Sequence, residues 1–529
     1  MNGSGAVILG IGGILGDAAS AILKDGKLGA AVEESKLTRR RQRAGFDDLP
    51  ERSIATCLEL ACVKPEEVDA VALARPLPAS DFHLRLRALF PNSRIVVVEH
   101  HVAHAASAYY PSPFDEATVL TLDRGGDFRC GSRWQADGPR MSLEFEQYSP
   151  DSLGELYGRV TELLDFHANE DEHKVQWLSA AGDDRYRALF LEILNLSEHG
   201  PRIDRSFFST ERVKHGGFGA RFYQQLGLAE DQAIPEALRP HVAAGMQQAL
   251  EAAVIRLAGK GRNLCLAGGL GLNAMLVSAL ERSSGYENVF VQPAAGNAGT
   301  AIGAALETWH GIYRREERIS LDTLGLGPSY AAPEIKRELE NCKLRFRYLL
   351  TVEEAIDAAV ALLNDNRIVA WMHGRMEFGA RALGNRSILA SPLDPYSTEN
   401  LNTYIKHRES VRKFAASVPA ELAPQYFEVG PNARFLSTVG RVRPEHRERF
   451  SAALVAGDRI RVHTVDRAEN PLYWQLLHAA GKSTGLPELY NTSFNLFGEP
   501  LVCTPRDAVR SFYASGIDAL FVGQFLLQK

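Results

Sequence analysis

The chain has 529 residues, with 59 lysines and arginines against 65 aspartates and glutamates and a net charge of -6. That length exceeds what one hydrophobic core serves, so two or three domains are expected, and the charge balance offers no electrostatic case for nucleic acid or an anionic membrane. The 45% hydrophobic content is that of a globular protein, six cysteines form no CxxC pair, and the N-terminus shows neither a basic leader nor a spanning apolar run, so a cytoplasmic protein is expected.

In chain order, AVILGIGG (6–13) reads as a buried strand running into glycines. DAASAILKDGKLGAAVEES adds two strands around the Asp25-Gly26 hairpin. The basic run from Arg39 to Arg43 is either a phosphate seat or a solvated face. An amphipathic helix over 51–62 and a strand over 70–74 follow. In HHVAHAASAYY, His100 and His104 stand four apart in a breaker-free segment and share one helix face. The apolar run 117–122 is a strand that ends in Asp123, and TVLTLDRGGD repeats the strand-to-glycine logic of the N-terminus. Two imidazoles and a strand-end carboxylate form a face for Fe, Zn or Mn, or else a pair of buried histidines beside an aspartate. Both readings stand at this point.

EHKVQWLSAAG (172–182) places Lys174 in a helix opening. NLCLAGGLGLN (263–273) is a strand entering glycines, which let backbone amides approach a phosphate, and VFVQPAAGNAGTAIGAALETW gives a strand, a turn at Asn297 and a small-residue helix. Periodicity weakens between 321 and 350. Beyond it come a helix over 352–364, a strand over 367–372, and HGRMEFGARALGNRSILASP with Arg375, Arg381, Arg386 and Glu377. Guanidiniums this close repel unless an anion sits among them. NTYIKHRESVRKFAASVP adds Lys406, Arg408 and Arg412, RIRVHTV adds Arg461, and LPELYNTSFNLFGEPLVCTP adds Asn491, Ser493 and Asn495. Each arginine alone reads as a surface ion pair. Together they point to an anion-binding domain.

The strings HHVAHAASAYYPSPF, LCLAGGLGLN, EFGARALGNRSILA, YNTSFNLFGEPLVCTPRDA and FVGQF resemble the carbamoyltransferases of natural-product biosynthesis, the family of the nebramycin, cephalosporin and novobiocin carbamoyltransferases and of the nodulation protein NodU. The resemblance implies an α/β chain: an actin-like domain (ASKHA, similar to threonylcarbamoyl transferase) with a duplicated core over 1–325, a linker over 326–350, and a YrdC-like domain over 351–529. It implies that the second domain makes carbamoyl-adenylate from carbamoyl phosphate and ATP with Mg, and that the first passes the carbamoyl group to a hydroxyl of a small molecule.

On that resemblance Arg375, Arg381, Arg386, Arg412, Asn491, Ser493 and Asn495 would bind carbamoyl phosphate and ATP. Asp17, Lys406, Arg408 and Arg461 would be catalytic, Gly268, Gly269, Asn273 and Gly296 would hold the adenylate, and His100, His104, Asp123 and Asn297 would hold Fe or Zn. The chain departs from the family where Gly16-Asp17 replaces a His-Asp pair, where Arg41 and Gln42 replace Lys and His, and where Asn297 replaces a ligating carboxylate. The last change predicts a weakly held metal. The departures keep two alternatives open, an amine or partner-bound acceptor and a non-catalytic nucleotide-binding protein. A homodimer is expected; tRNA modification is not.

Overall fold

The computed structural model describes residues 5–40, 49–78, 81–197, 200–209, 214–394, 396–408 and 412–529, so Arg41, Gln42 and Arg43 of the basic run lie outside the described residues. By contacts the chain forms two compact units, Met1–Val98 with Asn297–Lys529, and Glu99–Gly296.

In the first unit, β1 (Val7–Gly12), β2 (Ala19–Lys24), β3 (Lys27–Glu33), β4 (Ala70–Ala74) and β5 (Arg94–Val98) form a sheet of order β3-β2-β1-β4-β5. The hairpin-linked strands β1 to β3 run antiparallel, and β4 and β5 join them in parallel. The glycines of β1 serve close approach: a Cβ at Gly10 would lie 2.0 Å from the Ala301 carbonyl oxygen and one at Gly12 2.2 Å from Thr300 Oγ1, so only hydrogen lets helix Thr300–Glu307 pack there.

The second unit repeats the pattern. β6 (Glu116–Gly126), β7 (Arg129–Asp137) and β8 (Arg140–Tyr148) form the antiparallel part, and β9 (Gly261–Ala267) and β10 (Tyr286–Val291) the parallel part, in the order β10-β9-β6-β7-β8. Strand order and direction match the first sheet strand for strand, so the duplication expected from the two strand-and-glycine segments is present. Its core gathers Leu120, Leu122, Tyr157, Phe190, Phe222, Val254 and Leu266.

The remainder of the first unit is built on an eleven-stranded sheet. Its order is Arg347–Tyr348, Phe525–Gln528, Ala519–Val522, Val369–Met372, Arg386–Ala390, Leu489–Ser493, Ala415–Pro419, Arg459–Val465, Val439–Val442 and Phe427–Glu428, with Leu454–Ala456 branching from Arg459–Val465. The expected boundary at 326–350 is not where compactness divides the chain. Helix Ala332–Asn341 buries Ile335 and Leu339 in the C-terminal core, and Arg347–Tyr348 pairs with the last strand. Met376, Ala382, Leu501 and Cys503 share one core with Leu9, Ile11 and Ile22. Polar contacts join the same parts: Lys36 Nζ donates to the carbonyls of Glu377 and Gly379, both at 2.8 Å, and Arg39 Nη1 donates to that of Leu501 at 2.5 Å. No helix among the described residues is long and apolar enough to cross a membrane.

Candidate metal centre and cationic cluster

Helix His100–Tyr109 carries His100 and His104 on the face turned to β6, which brings Asp123 to them. His100 Nε2 lies 2.8 Å from Asp123 Oδ2, His104 Nε2 lies 3.2 Å from the same oxygen, and the two nitrogens are 3.1 Å apart. All three residues are buried. Three donor atoms on a triangle of about 3 Å edges suit three ligands on one face of an ion with bonds of about 2.0–2.2 Å. Burial first, and then the neighbouring His100, lower the His104 pKa and favour the neutral imidazole that ligation requires. Burial pushes the Asp123 carboxyl up, but hydrogen bonds from His100 and His104 outweigh it and hold the group well below the carboxylate range. The residues fit a divalent ion.

The support around the triad is uneven. His101, which sequence reasoning passed over beside two better-spaced histidines, bridges helix and sheet through Thr121 Oγ1 (2.7 Å) and the Arg129 carbonyl (3.0 Å); burial first lowers its pKa to about 3. His104 Nδ1, by contrast, is buried without a hydrogen-bond partner, where a ligating histidine normally donates to a fixed acceptor. Glycines close the remaining space. A Cβ at Gly126 would lie 2.1 Å from His100 Cδ2, one at Gly268 2.1 Å from the Leu122 carbonyl oxygen, and one at Gly269 2.9 Å from Asp123 Oδ1. Asn297 opens the turn Asn297–Gly299 of the other unit.

Asn273 is already committed. Its Oδ1 caps helix Ala274–Ser283 by accepting from Leu276 N at 3.0 Å, and its Nδ2 donates to Gln247 Oε1 at 2.8 Å. Asn273, expected at an adenylate, here holds a helix start to Gln247, which Tyr157 joins at 3.0 Å. Asp17 is exposed, with φ 63, in the turn between β1 and β2.

The arginines divide into two sets. Arg375 donates to the carbonyls of Gly327 (3.0 Å), Leu326 (2.6 Å) and Gly29 (3.0 Å). Arg386, fully buried, donates to those of His373, Gly374, Asn385 and Pro328 at 2.8–3.1 Å. Both guanidiniums, expected at a phosphate, here face backbone oxygens. Glu377 completes this scaffold: its Oε1 accepts from the amides of Leu383, Asn385 and Arg386 at 2.7–3.2 Å and so shapes the loop that carries Arg381.

Arg381, Lys406, Arg408, Arg412 and Arg461 form the second set. Burial, and then neighbouring positive charge, depress three of them: Arg412 acts on Arg381, Arg408 and Arg412 act on Lys406, and Arg381, Arg408 and Arg412 act on Arg461. Arg408 and Arg412 thus neighbour both Lys406 and Arg461, and Arg381 neighbours Arg412 and Arg461. Lys406 Nζ reaches the Ser493 carbonyl (2.5 Å), the Asn495 carbonyl (2.9 Å) and Asn495 Oδ1 (2.7 Å), and Arg408 Nε donates to Asn402 Oδ1 at 2.7 Å. Lys406, Ser493 and Asn495 are thus brought together.

Residues 79–306 match the family described as "Carbamoyltransferase N-terminus" and residues 360–529 the family described as "Carbamoyltransferase C-terminus". The Synechocystis sp. protein sll1178 is 33% identical over 99% of this chain and 96% of its own length. Nodulation protein NolNO of Sinorhizobium fredii is 33% identical over 97% of this chain and 79% of its own. Among solved structures, component A of the (R)-2-hydroxyglutaryl-CoA dehydratase of Acidaminococcus fermentans covers 58% of this chain and 99% of its own length at 18% identity and a TM-score of 0.38. On the two family matches and the full-length relatives, the chain belongs to the carbamoyltransferase family.

Proposed function

We propose that the chain is an ATP-dependent O-carbamoyltransferase whose YrdC-like C-terminal part forms carbamoyl-adenylate and whose actin-like part transfers the carbamoyl group to a hydroxyl of a small molecule. The observation that carries this reading is the gathering of Arg381, Lys406, Arg408, Arg412 and Arg461 around one place in the C-terminal sheet. Lys406 is buried and the four arginines are partly so, and like charges drawn this close together favour a polyanion among them. Two phosphorylated substrates supply it.

Water cleaves carbamoyl phosphate to phosphate and carbamate. A carbamate oxygen attacks the α-phosphorus of Mg-bound ATP, and pyrophosphate leaves. The acceptor hydroxyl then attacks the carbamoyl carbon, AMP leaves with the electron pair of the broken C–O bond, and Asp17 takes the hydroxyl proton. Arg381, Arg412 and Arg461 neutralise charge that builds on the phosphoryl oxygens, Lys406 and Arg408 orient the donor, and Ser493 and Asn495 hold Lys406. Backbone of Gly268, Gly269 and Gly296 would line the adenylate. His100, His104 and Asp123 would hold a divalent ion, which when bound would supply Lewis-acid polarisation.

The test is incubation with ATP, carbamoyl phosphate and Mg. Pyrophosphate release is expected, and its absence removes the first half-reaction and the proposal with it. Mass spectrometry then separates a carbamate product from the urea that an amine acceptor would give.

A further inference from the structure

Asn491 carries an unanswered acceptor. The residue is 3% exposed, its Nδ2 donates to the Ala382 carbonyl at 3.1 Å and lies 3.5 Å from His463 Nδ1, and its Oδ1 is buried without a hydrogen-bond partner. The orientation of the amide is fixed, because a flipped side chain would set two oxygens 3.1 Å apart. Buried acceptors are rarely left unmade, so this one calls for an N–H from something that binds.

The register says where it faces. Asn491 pairs with Ala415, Ser417 pairs with His463, and Arg461 precedes His463 by two on the same strand, so Asn491, Ala415, Ser417, Arg461 and His463 share one face of the sheet. Asn491 and Arg461 stand on either side of the strand that carries Ala415, about 10 Å apart at two strand spacings. Ala415 and Ser417, between the acceptor and the guanidinium, both carry small side chains, and Ser417 Oγ lies 2.9 Å from His463 Nδ1.

We propose that Asn491 reads the amide of the donor: its Oδ1 accepts an N–H from the carbamoyl NH2 and so selects carbamoyl phosphate over acyl phosphates with a methyl group in that place. This rests on the adenylation reading above, and it adds the group that enforces the choice of donor. A methyl brings no hydrogen to the oxygen and leaves it desolvated. Sites built around such a hydrogen bond reject the analogue that lacks it by several orders of magnitude.

The experiment compares carbamoyl phosphate with acetyl phosphate as donors for pyrophosphate release from ATP, using the full chain and its Asn491→Ala variant. The wild type is expected to prefer carbamoyl phosphate in kcat/KM by on the order of a thousandfold. Asn491→Ala should shrink that ratio at least tenfold. Equal use of both donors by the wild type overturns the proposal whether or not the variant folds, and so does a folded variant that keeps the full preference. Silence of the wild type with either donor strikes the adenylation reading instead.

Discussion

Gly126→Ala probes the metal centre by a steric route that spares its ligands. The added Cβ would lie 2.1, 2.3 and 2.8 Å from Cδ2, Cγ and Cβ of His100, against an ordinary carbon–carbon contact of about 3.5–4.0 Å. The imidazole must retreat by more than an ångström from the position that sets its Nε2 2.8 Å from Asp123 Oδ2. Coordination tolerates shifts of about 0.2 Å, so the site loses one of three ligands. Affinity for Zn or Fe, read by competition with a chromogenic chelator, should fall at least about tenfold, and overpacking should cost about 1–3 kcal/mol in urea denaturation. Gly125 is the control next door: it is exposed, and its Cβ would meet nothing nearer than the Arg129 carbonyl oxygen at 3.9 Å. If Gly126→Ala matched Gly125→Ala in both metal affinity and denaturation midpoint, the packing argument would be wrong. A wild type that takes up no metal would condemn the ligand assignment, while the denaturation comparison would still judge the sterics.

Metal analysis of the purified protein should find less than one ion per chain, since the triad supplies one carboxylate and His104 Nδ1 lacks support; one tightly held ion would contradict this. Lys36→Met should cost about 3–5 kcal/mol, because it strands Glu33, which lies 2.8 Å from the lysine in a buried pair, and Glu33→Gln on top of it should recover much of the loss. Glu488 has its pKa raised to about 8 by burial, against the weaker pull of Arg449. The folded state therefore holds a proton that the unfolded state has released, and stability drops as pH rises from about 4.5 through 8 by on the order of 3–5 kcal/mol. Glu488→Gln should flatten that slope, and an unchanged urea midpoint profile over this range would refute the assignment.

Much of the site was legible because its signals are local. Histidines four apart fix their own face, and an apolar run ending in Asp fixes a strand end; the glycines after the strands, expected to admit a phosphate, lie close to His100, Leu122 and Asp123 at Gly126, Gly268 and Gly269. The two-fold sheet was legible for the same reason. What spacing does not show is anything decided by distant partners. Arg375 and Arg386 look like Arg381 in sequence, yet their partners are carbonyls of Gly29, Leu326 and Pro328, 346, 49 and 58 residues away, which no spacing reveals. Asn273 looks like a ligand residue because capping and binding favour the same side chain. The run 326–350 looks like a linker because its one helix is strongly charged, although Ile335 and Leu339 suffice to dock it.

The same long-range contacts decide which parts of the chain can stand alone. Residues 99–296 enclose a sheet and a core in one continuous segment, and every partner of that core lies within it. Residues 351–529 do not: they leave behind Ile335 and Leu339, the strand partner of Phe525–Gln528, and the cluster in which Leu9 and Ile11 cover Met376 and Leu501. They also lose Lys36 and Arg39, which satisfy the carbonyls of Glu377, Gly379 and Leu501. Each large apolar side chain so uncovered is worth about 1.5–3 kcal/mol, and a handful exceeds the about 5–15 kcal/mol by which a domain is stable. The fragment 99–296 should therefore unfold cooperatively in urea, whereas 351–529 should show no sharp transition until it is extended to include 1–98 and 297–350. A cooperative transition in 351–529 alone would mean that the arginine scaffold, and not the shared core, holds the C-terminal sheet together.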